Sequence, residues 1–126
     1  SNLSFLMKQD MCKSYIPYLK HILDECRYVE SVINNDIQLY QFLSDETLKR
    51  AVTRSLSIIG EATKKVPADV KYQWQEISWR QMAGMRDRLV HDYMGVNYMI
   101  VWDVAKNIIP TLIPQIENIL SVADKK

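Results

Sequence analysis

Apolar residues recur at spacings of three and four through three long stretches of this chain, and that period admits helices and little else. In residues 14–33 the series is Ile16, Leu19, Ile22, Leu23, Cys26, Val29 and Ile33. In residues 45–66 it is Leu48, Val52, Leu56, Ile59 and Thr63, widened by Ala51, Ser55, Ile58 and Ala62. In residues 97–122 it is Val101, Val104 or Ala105, Ile108, Leu112, Ile116 and Ile119. Each series forms one apolar stripe on a helix and leaves charged residues to the rest of the wheel. Strand-like alternation with hairpin signals is absent, and 3 Gly and 4 Pro leave little material for a turn-rich sheet protein. The expected fold is all-α, a bundle of four to five main helices built as one domain over residues 14–122. Residues 1–13 read as a partly ordered lead-in and residues 123–126 as a frayed tail.

Boundary chemistry refines these elements. Ser14 is the expected cap of the first helix, with Pro17 in its first turn. Residues 36–43 should form a short helical connection that packs Leu39, Phe42 and Leu43 on the core. Ser44 is the expected N-cap of the second long helix, with Asp45 and Glu46 in the first turn. Gly60 lies in the middle of that helix, where it costs about 1 kcal/mol relative to Ala. A glycine kept at that cost predicts a close crossing with another backbone. Pro67 starts a short helix over 67–74, and a further helix capped by Ser78 is expected over 79–91. Its inner face reads Trp79, Met82, Ala83, Met85 or Arg86, then Leu89 and Val90. In the last helix Pro110 and Pro114 remove backbone donors, so a kink or break is expected between about 107 and 114.

The totals exclude some functions. The net charge of +1 argues against a protein that coats nucleic acid, but it leaves room for a local basic groove. No uncharged apolar run approaches the roughly 18 residues of a membrane span. Cys12 and Cys26 have no metal-ligand spacing, and Cys26 falls on an apolar face as a buried thiol. This cysteine usage fits a reducing cytoplasmic setting. No metal cluster, P-loop or glycine-rich nucleotide fingerprint is evident, so no cofactor is expected.

The chemistry concentrates in residues 84–95, framed by Gly84 and Gly95, with Arg86, His91 and Tyr93 between them. Arginine binds phosphate oxygens through a fork and stays charged. Histidine moves protons near neutral pH, and tyrosine supplies a hydroxyl that can be modified. Asp87 and Asp92 could orient the imidazole of His91, and Arg88 could share the phosphate-binding face. On a regular helix Arg86 and His91 stand roughly 140° apart at about 100° per residue. They meet one phosphate only if the helix ends near Val90, or if two chains pair about a two-fold axis. Such a kit suits RNA cleavage by the neighbouring 2′-OH, with an imidazole taking the proton and Arg86 stabilising charge on phosphorus oxygens. A second stripe of Arg50, Arg54, Ser57 and Glu61 could line a groove; a solvated face with internal Arg–Glu balance is the plainer reading. His21 reads as a surface or boundary histidine.

The order Arg86, four residues, His91, one residue, Tyr93 resembles the signature of the HEPN superfamily, in its HepT-like branch. Ile59, Gly60, Glu61 and Ala62 resemble the family's segment on the long helix. Residues 77–87 resemble its approach to the motif, and residues 93–96 with Ile100, Val101 and Trp102 its exit. The similarity spans about residues 15–122. It implies an all-α, dimeric, cytoplasmic prokaryotic protein whose active-site cleft lies at the two-fold interface. It further implies a toxin of a type VII-like toxin-antitoxin pair that cleaves RNA without metal, with Arg86 and His91 catalytic. The implied partner is an MntA-type nucleotidyltransferase antitoxin that attaches AMP to Tyr93. Many relatives carry Asn after the motif Arg, where this chain has Asp87. Two other readings stand beside this one. In the first the chain is a non-catalytic helical partner that binds nucleotide or transferase; in the second it is a structural dimer with Arg86 and His91 in an interface network.

Overall fold

The computed structural model describes residues 14–89 and 95–124. The described chain is all-α. Its elements in order are α1 (Ile16–Val32), α2 (Leu39–Ser44), α3 (Glu46–Lys64), α4 (Ala68–Gln73), α5 (Trp79–Ala83), α6 (Met85–Leu89), α7 (Tyr98–Asp103), a π-helical turn (Val104–Ile108) and α8 (Ile109–Asp124). The last three run on without a break, so four principal pieces form the bundle: α1, α3, the α5–α6 pair and the composite final helix. Helices α2 and α4 are short connections. No helix among the described residues is long and apolar enough to cross a membrane.

The stripes meet as their periods require. Leu19, Ile22, Leu23, Cys26 and Val29 of α1 are buried. They pack on Val52, Leu56, Ile59 and Thr63 of α3 and on Ile109, Leu112, Ile116 and Ile119 of α8. Two buried hydroxyls of α3 are satisfied here. The Thr63 hydroxyl donates to the Ile59 carbonyl at 2.7 Å, and the Ser55 hydroxyl donates to the Glu25 carboxylate of α1 at 3.2 Å. At the opposite edge Phe42 is fully buried, with its ring centroid 5.4 Å from that of Trp102. Leu39 is half-buried, but Leu43 is exposed, contrary to the expectation that all three would pack inward. A helix as short as α2 has one inner position per turn, and Phe42 takes it.

Two caps differ from expectation. Tyr15, not Ser14, occupies the N-cap of α1, and it makes no side-chain cap bond. Asp45, not Ser44, caps α3, its carboxylate accepting from the Leu48 backbone N–H at 3.0 Å. The Ser44 hydroxyl is spent on the Tyr40 carbonyl at the end of α2. Ser78 stands at the start of α5 without a side-chain cap bond.

The final helix carries its irregularity upstream of both prolines. The π turn closes with the Ile109 N–H donating to the Val104 carbonyl. It places one extra residue in the turn just before Pro110, where a regular helix would press the proline ring on a carbonyl one turn back. The helix then continues through Pro114 to Asp124, two residues into the segment expected to fray. The extra residue also slips the register. Val104 and Ala105 are both buried, and the next fully buried position is Ile109 rather than the expected Ile108.

Cys26 is buried as expected, at 0% exposure. Burial pushes its thiol up to about 12 from an ordinary 9.0, with the Glu25 and Glu30 carboxylates adding to the rise. A thiol that stays protonated in the fold and ionises when unfolded stabilises the fold below pH about 9. That contribution is lost as pH climbs toward 12, at about 1.4 kcal/mol per pH unit. Urea midpoints of wild type and Cys26→Ala measured from pH 8 to 11 should therefore fall with different slopes, the variant's being shallower. In Cys12→Ser, the remaining thiol should react with an aromatic disulfide reagent only as the chain opens. Immediate labelling of the native variant would contradict this burial.

Candidate active site

The site is assembled where α3 crosses the α5–α6 pair. Along α3 the buried residue facing that pair is Gly60. A Cβ built on it would lie 3.2 Å from the Met82 carbonyl oxygen and 3.7 Å from the Arg86 backbone nitrogen. This is the close crossing that the mid-helix glycine predicted, and it seats the backbone of Arg86 directly on α3.

Local chemistry then orients α6. Trp79 is buried and anchors α5, its indole N–H donating to the Trp74 carbonyl at 2.9 Å. The expected helix over 79–91 is instead two short helices. Gly84 makes the turn between them, and α6 ends at Leu89 within the described residues. Met82, Met85 and Leu89 face the core. With Met85 taking the inner position, Arg86, Asp87 and Arg88 are all exposed. His91, Asp92 and Tyr93 lie outside the described residues, as does Val90. The Asn97 N–H donates to the Leu89 carbonyl at 2.8 Å, a tie between the end of α6 and the start of α7. Gly95, at φ +87°, supplies a left-handed backbone just before that tie. Asn97 then caps α7, its side-chain oxygen accepting from the Ile100 N–H at 3.3 Å.

Arg86 opens on a groove of about 610 Å³ between α1 and α3. From α3 come Arg54, Ser57, Ile58 and Glu61, with Ala62 and Lys65 beyond them. From α1 come Tyr18 and His21. The structure thus brings Arg54 and Glu61, two of the residues expected to line a groove, together with Arg86. Arg50 is not in the lining; it lies one turn further out, 3.7 Å from Glu46 across an exposed pair. Glu61 is engaged by Lys64 at 3.3 Å. Among the described residues Arg54, Lys65 and Arg86 make no ion pair, so the groove presents unneutralised cations. Of the four stripe residues, Arg54, Ser57 and Glu61 line this groove and Arg50 does not, and the ion pairs of Arg50 and Glu61 run to Glu46 and Lys64 rather than within the stripe.

Sequence reasoning missed His21, Tyr18 and Lys65 as neighbours of Arg86. His21 and Tyr18 lie one turn apart on α1, at the edge of its apolar stripe, and that placement was the only available signal. Among the described residues, no group of three or more His, Cys, Asp or Glu side chains is placed to hold a metal. Exposed guanidiniums, an adjoining imidazole and an aromatic ring in one groove can bind and polarise a phosphate ester carrying a flat base.

The fold and groove describe an all-α bundle with exposed cations beside a short arginine-bearing helix, and the comparisons give its family. The family model described as "Ribonuclease HepT-like" matches residues 18–119. The chain belongs to the HepT-like ribonuclease family, of the HEPN superfamily. It is 43% identical over 104 residues to "Putative RNase TTE0752" of Caldanaerobacter subterraneus subsp. tengcongensis, covering 82% of this chain and 92% of that one. It is 39% identical over 109 residues to "Probable ribonuclease HepT" of Thermococcus cleftensis, covering 86% of this chain and 98% of that one. A third relative, "Putative RNase MJ0125" of Methanocaldococcus jannaschii, is 37% identical over 107 residues, 83% of this chain and 92% of the other. No solved structure matches the chain.

Proposed function

We propose that this protein is an endoribonuclease that cleaves RNA by attack of the 2′-OH, with Arg86 and His91 as its catalytic residues. The observation that carries the reading is Arg86: exposed, without an ion-pair partner among the described residues, and opening on a groove with further unpaired cations. An arginine free of a carboxylate keeps its full charge and fork for a phosphate. The ribonuclease names of the relatives support the choice of RNA as substrate.

In this mechanism His91 removes the 2′-OH proton, and the 2′-oxygen attacks the adjacent phosphorus. Arg86 stabilises the charge that grows on the non-bridging oxygens. A protonated imidazole delivers a proton to the departing 5′-oxygen. The products are a 2′,3′-cyclic phosphate and a 5′-OH. A homodimer with its cleft at the two-fold axis would supply that second imidazole from the partner copy. Asp87 and Asp92 orient the imidazole, and Arg88 adds charge to the phosphate face.

The same reading makes the protein the toxin of a pair, silenced by a nucleotidyltransferase antitoxin. In that step the Tyr93 phenol oxygen attacks the α-phosphorus of ATP, and pyrophosphate leaves. AMP on Tyr93 adds bulk and negative charge beside the phosphate-binding residues, and both oppose RNA entry.

Purified protein incubated with total RNA in EDTA is expected to leave cyclic-phosphate ends, and His91→Ala to leave none. Equal cleavage by both would remove His91 from the mechanism. No cleavage by wild type with unmodified Tyr93 would favour a non-catalytic partner of the transferase. Mass spectrometry after incubation with transferase and ATP should place the AMP on Tyr93. Label that persists in Tyr93→Phe would refute that site.

A further inference from the structure

The groove continues well past Arg86, and its layout has a pattern of its own. Arg54, Ile58 and Ala62 of α3 and Lys65 at its C-cap follow one another at spacings of four, four and three, so they form one stripe. Cations stand at both ends of this stripe and apolar side chains in the middle. Tyr18 faces it from α1 with 39% of its surface exposed, in a helix whose neighbouring apolar residues are buried. The volume, about 610 Å³, falls within the roughly 300–1,000 Å³ of small-molecule sites. A ligand that suits this surface is flat and apolar at its centre and anionic on either side. One nucleotide of a single strand has that form. A duplex does not, because its base faces are hidden in the stack.

We propose that the groove between α1 and α3 is a subsite for single-stranded RNA flanking the cleavage position. One base stacks on Tyr18 above Ile58 and Ala62, while Arg54 and Lys65 hold the phosphates on its two sides. The subsite rests on the ribonuclease reading of Arg86, which lies at its mouth, and it extends that reading from one phosphate to a length of strand. It also gives the protein a means of favouring unpaired RNA that does not depend on the catalytic residues.

The test measures binding apart from cleavage. A fluorescent 2′-O-methyl oligoribonucleotide has no free 2′-OH and stays intact, so anisotropy reports affinity alone. Tyr18→Ala should weaken binding about tenfold, and Tyr18→Phe should restore it, since stacking needs the ring and not the hydroxyl. Arg54→Ala with Lys65→Ala should lower the slope of log affinity against log salt by about 1.4, or about 0.7 per lost phosphate contact. These positions are exposed, and unchanged thermal unfolding checks that the fold is intact. Unaltered affinity and salt slope in all variants would overturn the subsite, even if wild type cleaves RNA. A change from dimer to monomer in Tyr18→Ala, with affinity unchanged, would put a second copy over the groove and also overturn it. Groove-dependent binding by a protein that never cleaves would leave the subsite standing and remove the ribonuclease reading.

Discussion

Arg86→Ala should lower the rate of RNA cleavage by two to three orders of magnitude while leaving thermal unfolding almost unchanged. The first half follows from the charge that develops on the phosphate. Removing one donor aimed at such charge costs roughly 10²–10³ in rate, about 3–4 kcal/mol. The second half follows from the position of the side chain. Arg86 is exposed, Met85 beside it fills the core, and no ion pair among the described residues depends on the guanidinium. Surface changes of that kind stay within about 0.5 kcal/mol in stability. Arg86→Lys should fall between, because an ammonium keeps the charge and loses the fork. Single-turnover cleavage of a defined single-stranded RNA, with an unfolding curve for each variant, checks both halves. Cleavage by Arg86→Ala at the wild-type rate would sink the assignment. A large loss of stability would make Arg86 a structural residue instead.

Gly60→Val should lower the unfolding temperature by roughly 10 °C and reduce cleavage further than the loss of fold explains. The crossing leaves no room: the first carbon alone would lie 3.2 Å from the Met82 carbonyl oxygen, and that oxygen belongs to backbone. Two more carbons force α5 and α6 outward, at a cost of about 2–3 kcal/mol after the small gain in helix propensity. Because the Arg86 nitrogen lies 3.7 Å from the same point, the displacement reaches Arg86, the residue proposed to act on the phosphate. Gly60→Ala is the informative control. Its gain of about 1 kcal/mol in helix propensity is set against a single tight contact, so its stability should stay near that of wild type. A Gly60→Val protein with unchanged unfolding and unchanged cleavage would show that the crossing is looser than it stands here.

Both predictions depend on one place in the fold, which was half legible beforehand. The period of three and four located α1, α3 and the last helix within a few residues, since an apolar stripe is a local property of the chain. The cost of a mid-helix glycine pointed to the crossing at Gly60 before any partner was known. The chemical types at Arg86, His91 and Tyr93 pointed to phosphate handling. Errors fell where neighbouring residues compete for one role. Ser44 and Asp45 can both cap α3, and Asp45 does so because the Ser44 hydroxyl is already bonded within α2. Met85 and Arg86 could both face inward, and burial favours the thioether. The shift from Ile108 to Ile109 follows from a π turn, an event in backbone bonding that no side-chain period announces.

The sequence by itself therefore determined the helical class, the buried stripe of each long helix and the burial of Cys26. Each is set by spacing, which needs no partner element. Only the tertiary structure decided that Arg54 of α3 with Lys65 at its C-cap, and Tyr18 and His21 of α1, share a groove with Arg86. It likewise excluded Arg50 from that groove. These are relations between elements far apart in the chain. They depend on how α1 and α6 settle against α3, and at Gly60 that is governed by the absence of a side chain.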